Sequence, residues 1–139
     1  MTSPISHITF IVKDIERSAR LFQALLGATE VYDSGGRNHS LSDERFLTIG
    51  PLWIALMKGE PLRERTYNHI AFRIAPARKE ASLRILSELG LEVLPGRSRI
   101  PGEGESIYFH DFDGHLFELH TGTIEERLAS YARRPEEGV

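Results

Sequence analysis

The chain has 139 residues, 40% hydrophobic and 27% charged, with a formal net charge of -3 and no cysteine. That length suits one domain with its own core, and the acidic balance gives no electrostatic case for nucleic acid or an anionic membrane. The missing cysteines exclude disulfides, thiolate metal sites and a protein thiol nucleophile, so any thiol in the chemistry comes from a cosubstrate.

No apolar run approaches a membrane span. The N-terminus MTSPISHITFIV has neither a basic stretch nor a small-residue cleavage site, so the expected location is cytoplasmic. Residues 5–12, ISHITFIV, alternate as a strand, with Ile5, His7, Thr9 and Ile11 on one face. Asp14 is placed to cap a helix over 15–26. Ile15, Ala19, Phe22 and Leu26 form its stripe with Leu25 beside it, and Gly27 ends it. A short strand follows at 28–32. The stretch 33–44, DSGGRNHSLSDE, is polar and turn-rich, long for an idle connection, and therefore a functional candidate. Residues 46–49 and 52–57 form a hairpin around Gly50-Pro51, and 58–66 make a charged linker. The next strand is 67–74, with His69, Ala71 and Arg73 on one face. A helix over 77–89 presents Ala81, Ile85 and Leu89 and closes at Gly90. A strand at 91–94, a second turn-rich loop PGRSRIPGEGE at 95–105 and a hairpin at 106–122 turning on Asp113-Gly114 complete the pattern. Residues 124–132 read as an amphipathic helix and 133–139 as a frayed tail.

The chain repeats itself. SHITFIV at 6–12 matches NHIAFRI at 68–74, and each is followed by a helix ending in Leu-Gly, a short strand, a Gly-rich loop and a hairpin. The unit is βαβββ, twice, which gives an α+β fold with module one at about 5–58, module two at about 67–121 and a terminal helix, all within one domain spanning 1–139. His7 and His69 hold the same place in the two copies. Matching the hairpin turns sets Glu118 against Ala55. A carboxylate in the middle of an apolar strand calls for a positive partner. Two imidazoles and one carboxylate, His7, His69 and Glu118, suit a borderline divalent metal and leave positions open at Ala55 for water or substrate. His120 shares the face of Glu118 and is placed to support it, whereas His39, His110 and His115 read as loop or surface residues. Trp53 and Phe46 serve either as pocket walls or as ordinary core.

These residues resemble the vicinal oxygen chelate superfamily and, within it, the fosfomycin resistance proteins. The likeness rests on S-x-H-x-T-F near the N-terminus, G-x-L-W at 50–53, Y-x-H-x-A-F at 67–72, the 106–118 motif and GTIEERL at 122–128. It implies a dimer with exchanged modules and a Mn(II) cofactor, another divalent metal being possible. It also implies fosfomycin as substrate, with Thr9, Ser106, Tyr108 and Arg127 as phosphonate contacts and Trp53 beside them. The family's glutathione branch has a potassium loop with a lysine. Here that loop has Arg97 and Arg99 and no lysine, and the loop before Phe46 is longer and carries Glu44. On both counts the chain resembles the FosX branch, in which a carboxylate acts as general base for water addition, giving a vicinal diol. The alternatives are thiol transfer from glutathione or bacillithiol, extradiol-type dioxygenation on an iron triad, and drug sequestration without chemistry.

Overall fold

The computed structural model describes residues 1–133; the tail expected over 133–139 lies outside the described residues from 134 onward. The strands are β1 (His7–Val12), β2 (Thr29–Asp33), β3 (Glu44–Ile49), β4 (Leu52–Lys58), β5 (His69–Arg73), β6 (Val93–Leu94), β7 (Ser106–His110) and β8 (Leu116–His120). The helices are α1 (Ile15–Leu26), α2 (Lys79–Glu88) and α3 (Ile124–Ala132). None is long and apolar enough to cross a membrane. The chain divides into two compact units, Met1–Arg65 with the turn Asp111–His115, and Thr66–His110 with Leu116 onward.

In unit 1 the strand order is β1-β4-β3-β2, with β1 parallel to β4 and the other pairs antiparallel. In unit 2 the order is β5-β8-β7-β6, again with one parallel pair at β5 and β8. The two sheets are therefore the same βαβββ module built twice, and the fold is α+β.

Alternation explains which side of each sheet is core. In unit 1, Phe10, Val12, Leu47, Ile54 and Leu56 are buried beneath Ala19, Leu21, Phe22 and Leu25 of α1. The Asp14 carboxylate accepts from the Arg17 N–H at 3.0 Å and starts that helix. Gly27, at φ 66, ends it, and Ala28 N–H returns to the Phe22 carbonyl at 3.2 Å. The stripe is rotated from the expected one: Leu21 joins the core, while Ile15 and Leu26 are only half-buried. In unit 2, Phe72, Ile107, Phe109, Phe117 and Leu119 form the core with Leu86 of α2. A 3-10 turn at Pro76–Arg78 opens that helical stretch in place of a regular first turn, and burial centres on Ser82 and Leu86 instead of Ala81, Ile85 and Leu89.

Candidate active site

Unit 2 brings two of the expected ligands together. The register pairs His69 with Leu116, Ala71 with Glu118, and Arg73 with His120, so His69 and Glu118 lie in adjacent rows of the side-chain face away from the core. His69 Nδ1 lies 2.7 Å from the Tyr67 carbonyl oxygen. An oxygen acceptor there assigns the proton to Nδ1 and leaves a lone pair on Nε2 of the neutral ring. Glu118 Oε1 is 3.1 Å from that nitrogen. Two lone-pair atoms at this distance repel unless a cation, or a proton on Nε2, stands between them. The pair fits a divalent metal in donor type and spacing.

The other carboxylate oxygen is already occupied. Glu118 Oε2 accepts from the Ser106 hydroxyl, and from Arg99 Nη2 at 3.3 Å. The Ser106 oxygen takes bonds from Arg99 at 2.7 Å and from His120 Nδ1 at 2.7 Å. Arg127 donates to His120 Nε2 at 3.3 Å, which fixes the remaining proton of that ring on Nδ1. A line of hydrogen bonds thus runs from Arg127 through His120 and Ser106 to Glu118. Burial pushes the Glu118 carboxyl up, but the bonds from Ser106 and Tyr108, with the electrostatic pull of His120 and Arg99, outweigh it and hold the group below its ordinary value. Burial, with the Arg127 and Arg99 charges, holds His120 below its usual value despite Glu118. The Tyr108 hydroxyl is pushed up to about 12, by burial first and then by Tyr67 and Glu118, and stays a donor across the working range. His69, Arg73, Glu118, His120, Arg127 and Tyr131 line a cavity of about 450 Å³.

The loop 95–105 is organised by Glu103, whose side chain is 1% exposed. It accepts from Arg97, from the Tyr131 hydroxyl at 2.7 Å and from the Ile100 N–H at 3.0 Å. The Arg97 bond, followed by that from Tyr131, holds its carboxyl at about 2. Arg99 and Arg127 lie 3.4 and 4.0 Å from the same oxygen.

Unit 1 holds the remaining expected residues. His7 Nδ1 pairs with Ser6 Oγ at 3.0 Å, and its ring stacks on Trp53 with centroids 4.1 Å apart. Trp53 in turn meets the edge of Phe46 at 5.1 Å, so both aromatics border the His7 face and do not belong to the core side. The register sets three rows on that face: His7, Trp53 and Thr48; Thr9, Ala55 and Phe46; Ile11, Met57 and Glu44. Ala55 thus stands beside Thr9 as Glu118 stands beside Ala71.

Glu44 departs from expectation. It is not in the loop but is the first residue of β3, and it is only 8% exposed. The run of polar residues before it hid a strand start, because the ladder to β4 begins at the Glu44–Met57 pair. Glu44 lines a cavity of about 660 Å³ with Lys13, Arg17, Ser34, Asp43 and Lys58. Two expected surface histidines also differ. His115 is half-buried, with Nδ1 2.8 Å from Asp111 and its ring edge-on to Phe10 at 5.0 Å, and His110 is the half-buried last residue of β7. Sequence reasoning missed the roles of Arg99 and Glu103, since a loop has no periodicity to betray which of its charges are buried. Their only signal was a carboxylate near two arginines in a turn-rich loop placed just before the hairpin that carries Glu118. Among the described residues, no three His, Cys, Asp or Glu side chains form a ready metal-binding group.

Residues 4–119 match the glyoxalase/bleomycin resistance protein/dioxygenase superfamily. The fosfomycin resistance protein FosX of Listeria innocua serovar 6a is 50% identical over 131 residues, covering 94% of this chain and 98% of that protein. A metallothiol transferase FosB of Shouchella clausii is 36% identical over 140 residues, covering 96% and 90%. Among solved structures, a FosX variant from Listeria monocytogenes in complex with Mn(II) and 1S,2S-dihydroxypropylphosphonic acid superposes with a TM-score of 0.86 at 49% identity, covering 94% of this chain and 99% of the other. The chain belongs to the glyoxalase/bleomycin resistance protein/dioxygenase superfamily and, within it, to the FosX fosfomycin resistance proteins.

Proposed function

We propose that this protein is a Mn(II)-dependent epoxide hydrolase that adds water to the oxirane of fosfomycin, giving a vicinal diol and with it resistance to the antibiotic. The observation that carries this reading is the His69 Nε2 and Glu118 Oε1 pair, 3.1 Å apart with both lone pairs inward, in a chain of the FosX family. His69, Glu118 and His7 would hold the metal. Once bound, the metal supplies a Lewis acid for the oxygen released as the epoxide opens. Glu44 takes a proton from the attacking water. Thr9, Ser106, Tyr108 and Arg127 are the phosphonate contacts, and Trp53 walls the pocket. Arg127 carries the charge that pairs with the anion.

In our reading the protein is a homodimer with exchanged modules, in which His7 of one copy completes the site of the other. The cytoplasm is the location that goes with this function.

Phosphorus NMR of fosfomycin with purified protein and Mn(II), with and without thiol, tests the activity. The expected product is the diol without any thiol. An adduct that forms only with glutathione or bacillithiol would identify a transferase, and unchanged drug would leave sequestration. Glu44→Gly should lower kcat by about a hundred- to ten-thousand-fold, the usual range for a general base, while Mn(II) binding persists.

A further inference from the structure

Glu44 stands at the very start of β3, where a strand has its fewest restraints. The pairing of β2 with β3 ends at Asp33 and Arg45, so the next rung of the ladder faces Ser34 to Glu44. Half of that rung is ordinary: the Ser34 N–H donates to the Glu44 carbonyl at 3.0 Å. The other half is not. The Ser34 carbonyl has turned away to accept from the Arg37 N–H at 2.8 Å, closing a turn through Gly35 and Gly36. Their φ values of 55 and 87 are those of a type I′ turn, which any residue with a Cβ resists at both positions. The Glu44 N–H donates to Ser34 Oγ at 3.1 Å instead. One side-chain oxygen has replaced a main-chain one, and the strand gains a final rung while the chain is already reversing.

Ser34 is itself buried, at 5% exposure, and it lines the same cavity as Glu44. On the β2 side it is the last residue to hold the Glu44 backbone before the loop 35–43. The geometry points to Ser34 as the positioning residue of the general base: its hydroxyl oxygen fixes the backbone from which the Glu44 carboxylate reaches the attacking water. This rests on the assignment of Glu44 made above. A hydroxyl oxygen on Cβ supplies the acceptor here. Threonine keeps it; alanine and valine leave the buried Glu44 N–H without an acceptor.

The test uses the full chain loaded with Mn(II), with fosfomycin turnover followed by phosphorus NMR. Ser34→Ala and Ser34→Val should lower kcat on the order of ten- to a hundred-fold, the scale of a misplaced catalytic group. KM, and Mn(II) affinity by electron paramagnetic resonance, should hold. Ser34→Thr should restore most of the rate, and Ser34→Ala placed on Glu44→Gln should cost nothing further. The proposal is overturned if Ala and Val match wild type, or if their loss lies in KM or metal binding. It is also overturned if the loss persists on Glu44→Gln, or if Ala and Val fail to fold while Thr folds. Two results strike the parent reading instead and take this inference with it: wild type that makes no diol, and Glu44→Gln that keeps full rate.

Discussion

Glu118 divides its two oxygens between two tasks. Oε1 meets His69, and Oε2 is held by Ser106, Arg99 and His120. A metal placed at Oε1 therefore meets a carboxylate whose orientation is already set, and less of its binding energy goes into ordering the ligand. Glu118→Gln should weaken Mn(II) binding by more than the roughly ten- to hundred-fold typical of a supporting residue, and Ser106→Ala should fall within that range. A titration of free Mn(II) by electron paramagnetic resonance separates the two. Glu103 carries a pH prediction. Its folded carboxyl titrates at about 2 against an ordinary 4.5, so its unfolded form binds the proton first as pH falls. The stabilisation it contributes is complete above about 4.5 and is lost as pH falls through about 2. Wild type should lose stability across that window in denaturant melts, and Glu103→Gln should show a shallower acid slope. That His69 and Glu118 share a strand-pair face was legible from the sequence, because such a face is written in alternate residues. Arg99 was not, because its partners Ser106, Tyr108 and Glu118 are found only once the loop is folded over β7 and β8.

At the scale of elements, two glycines decide how closely the loop and the last strand approach. A Cβ on Gly122 would lie 2.8 Å from His120 Nε2 and 2.9 Å from the Glu103 carbonyl oxygen. Gly104, at φ 89, would place a Cβ 2.9 Å from the Gly122 nitrogen. Gly122→Ala should therefore cost about 1–3 kcal/mol, the usual range for overpacking, and displace the His120 ring that Arg127 donates to. Chemical denaturation measures the first effect and KM for fosfomycin the second. Helix α3 places Arg127, and it begins with a capping box in which Thr123 and Glu126 bond each other's backbones. Thr123→Ala should cost about 1 kcal/mol. The helices were readable from their caps and glycines, and Ile124–Ala132 has the bounds expected from sequence. The start of β3 was not readable, because its first residue is a charged one following a polar run. There pairing geometry outweighs strand propensity.

At the scale of the molecule, the repeat sets like against unlike. The registers make Glu44 the counterpart of Ser106, Phe46 of Tyr108 and Ala55 of Glu118. The same position carries the proposed base in one module and, in the other, a residue bonded to the Glu118 carboxylate. The duplicated architecture was plain in the sequence, whereas this division of labour needs the strand registers. Exchange of modules between copies has a direct test. His7→Ala and His69→Ala proteins should each be inactive alone. Mixed, refolded together and loaded with Mn(II), they should regain activity, because one site of the mixed dimer then keeps both histidines. No recovery would mean that each chain completes its own site.

The turn Asp111–His115 belongs with unit 1, although the chain reaches it only after passing through most of unit 2. Asp113 accepts the Lys13 N–H at 2.8 Å and, through its carbonyl, the Leu62 N–H at 3.0 Å, while Arg17 lies over the Phe112 ring at 4.3 Å. On the ribosome, then, the first module emerges unfinished. Residues 1–65 wait until residue 115 has been made before their last contacts close, even though their own sheet is complete by residue 58.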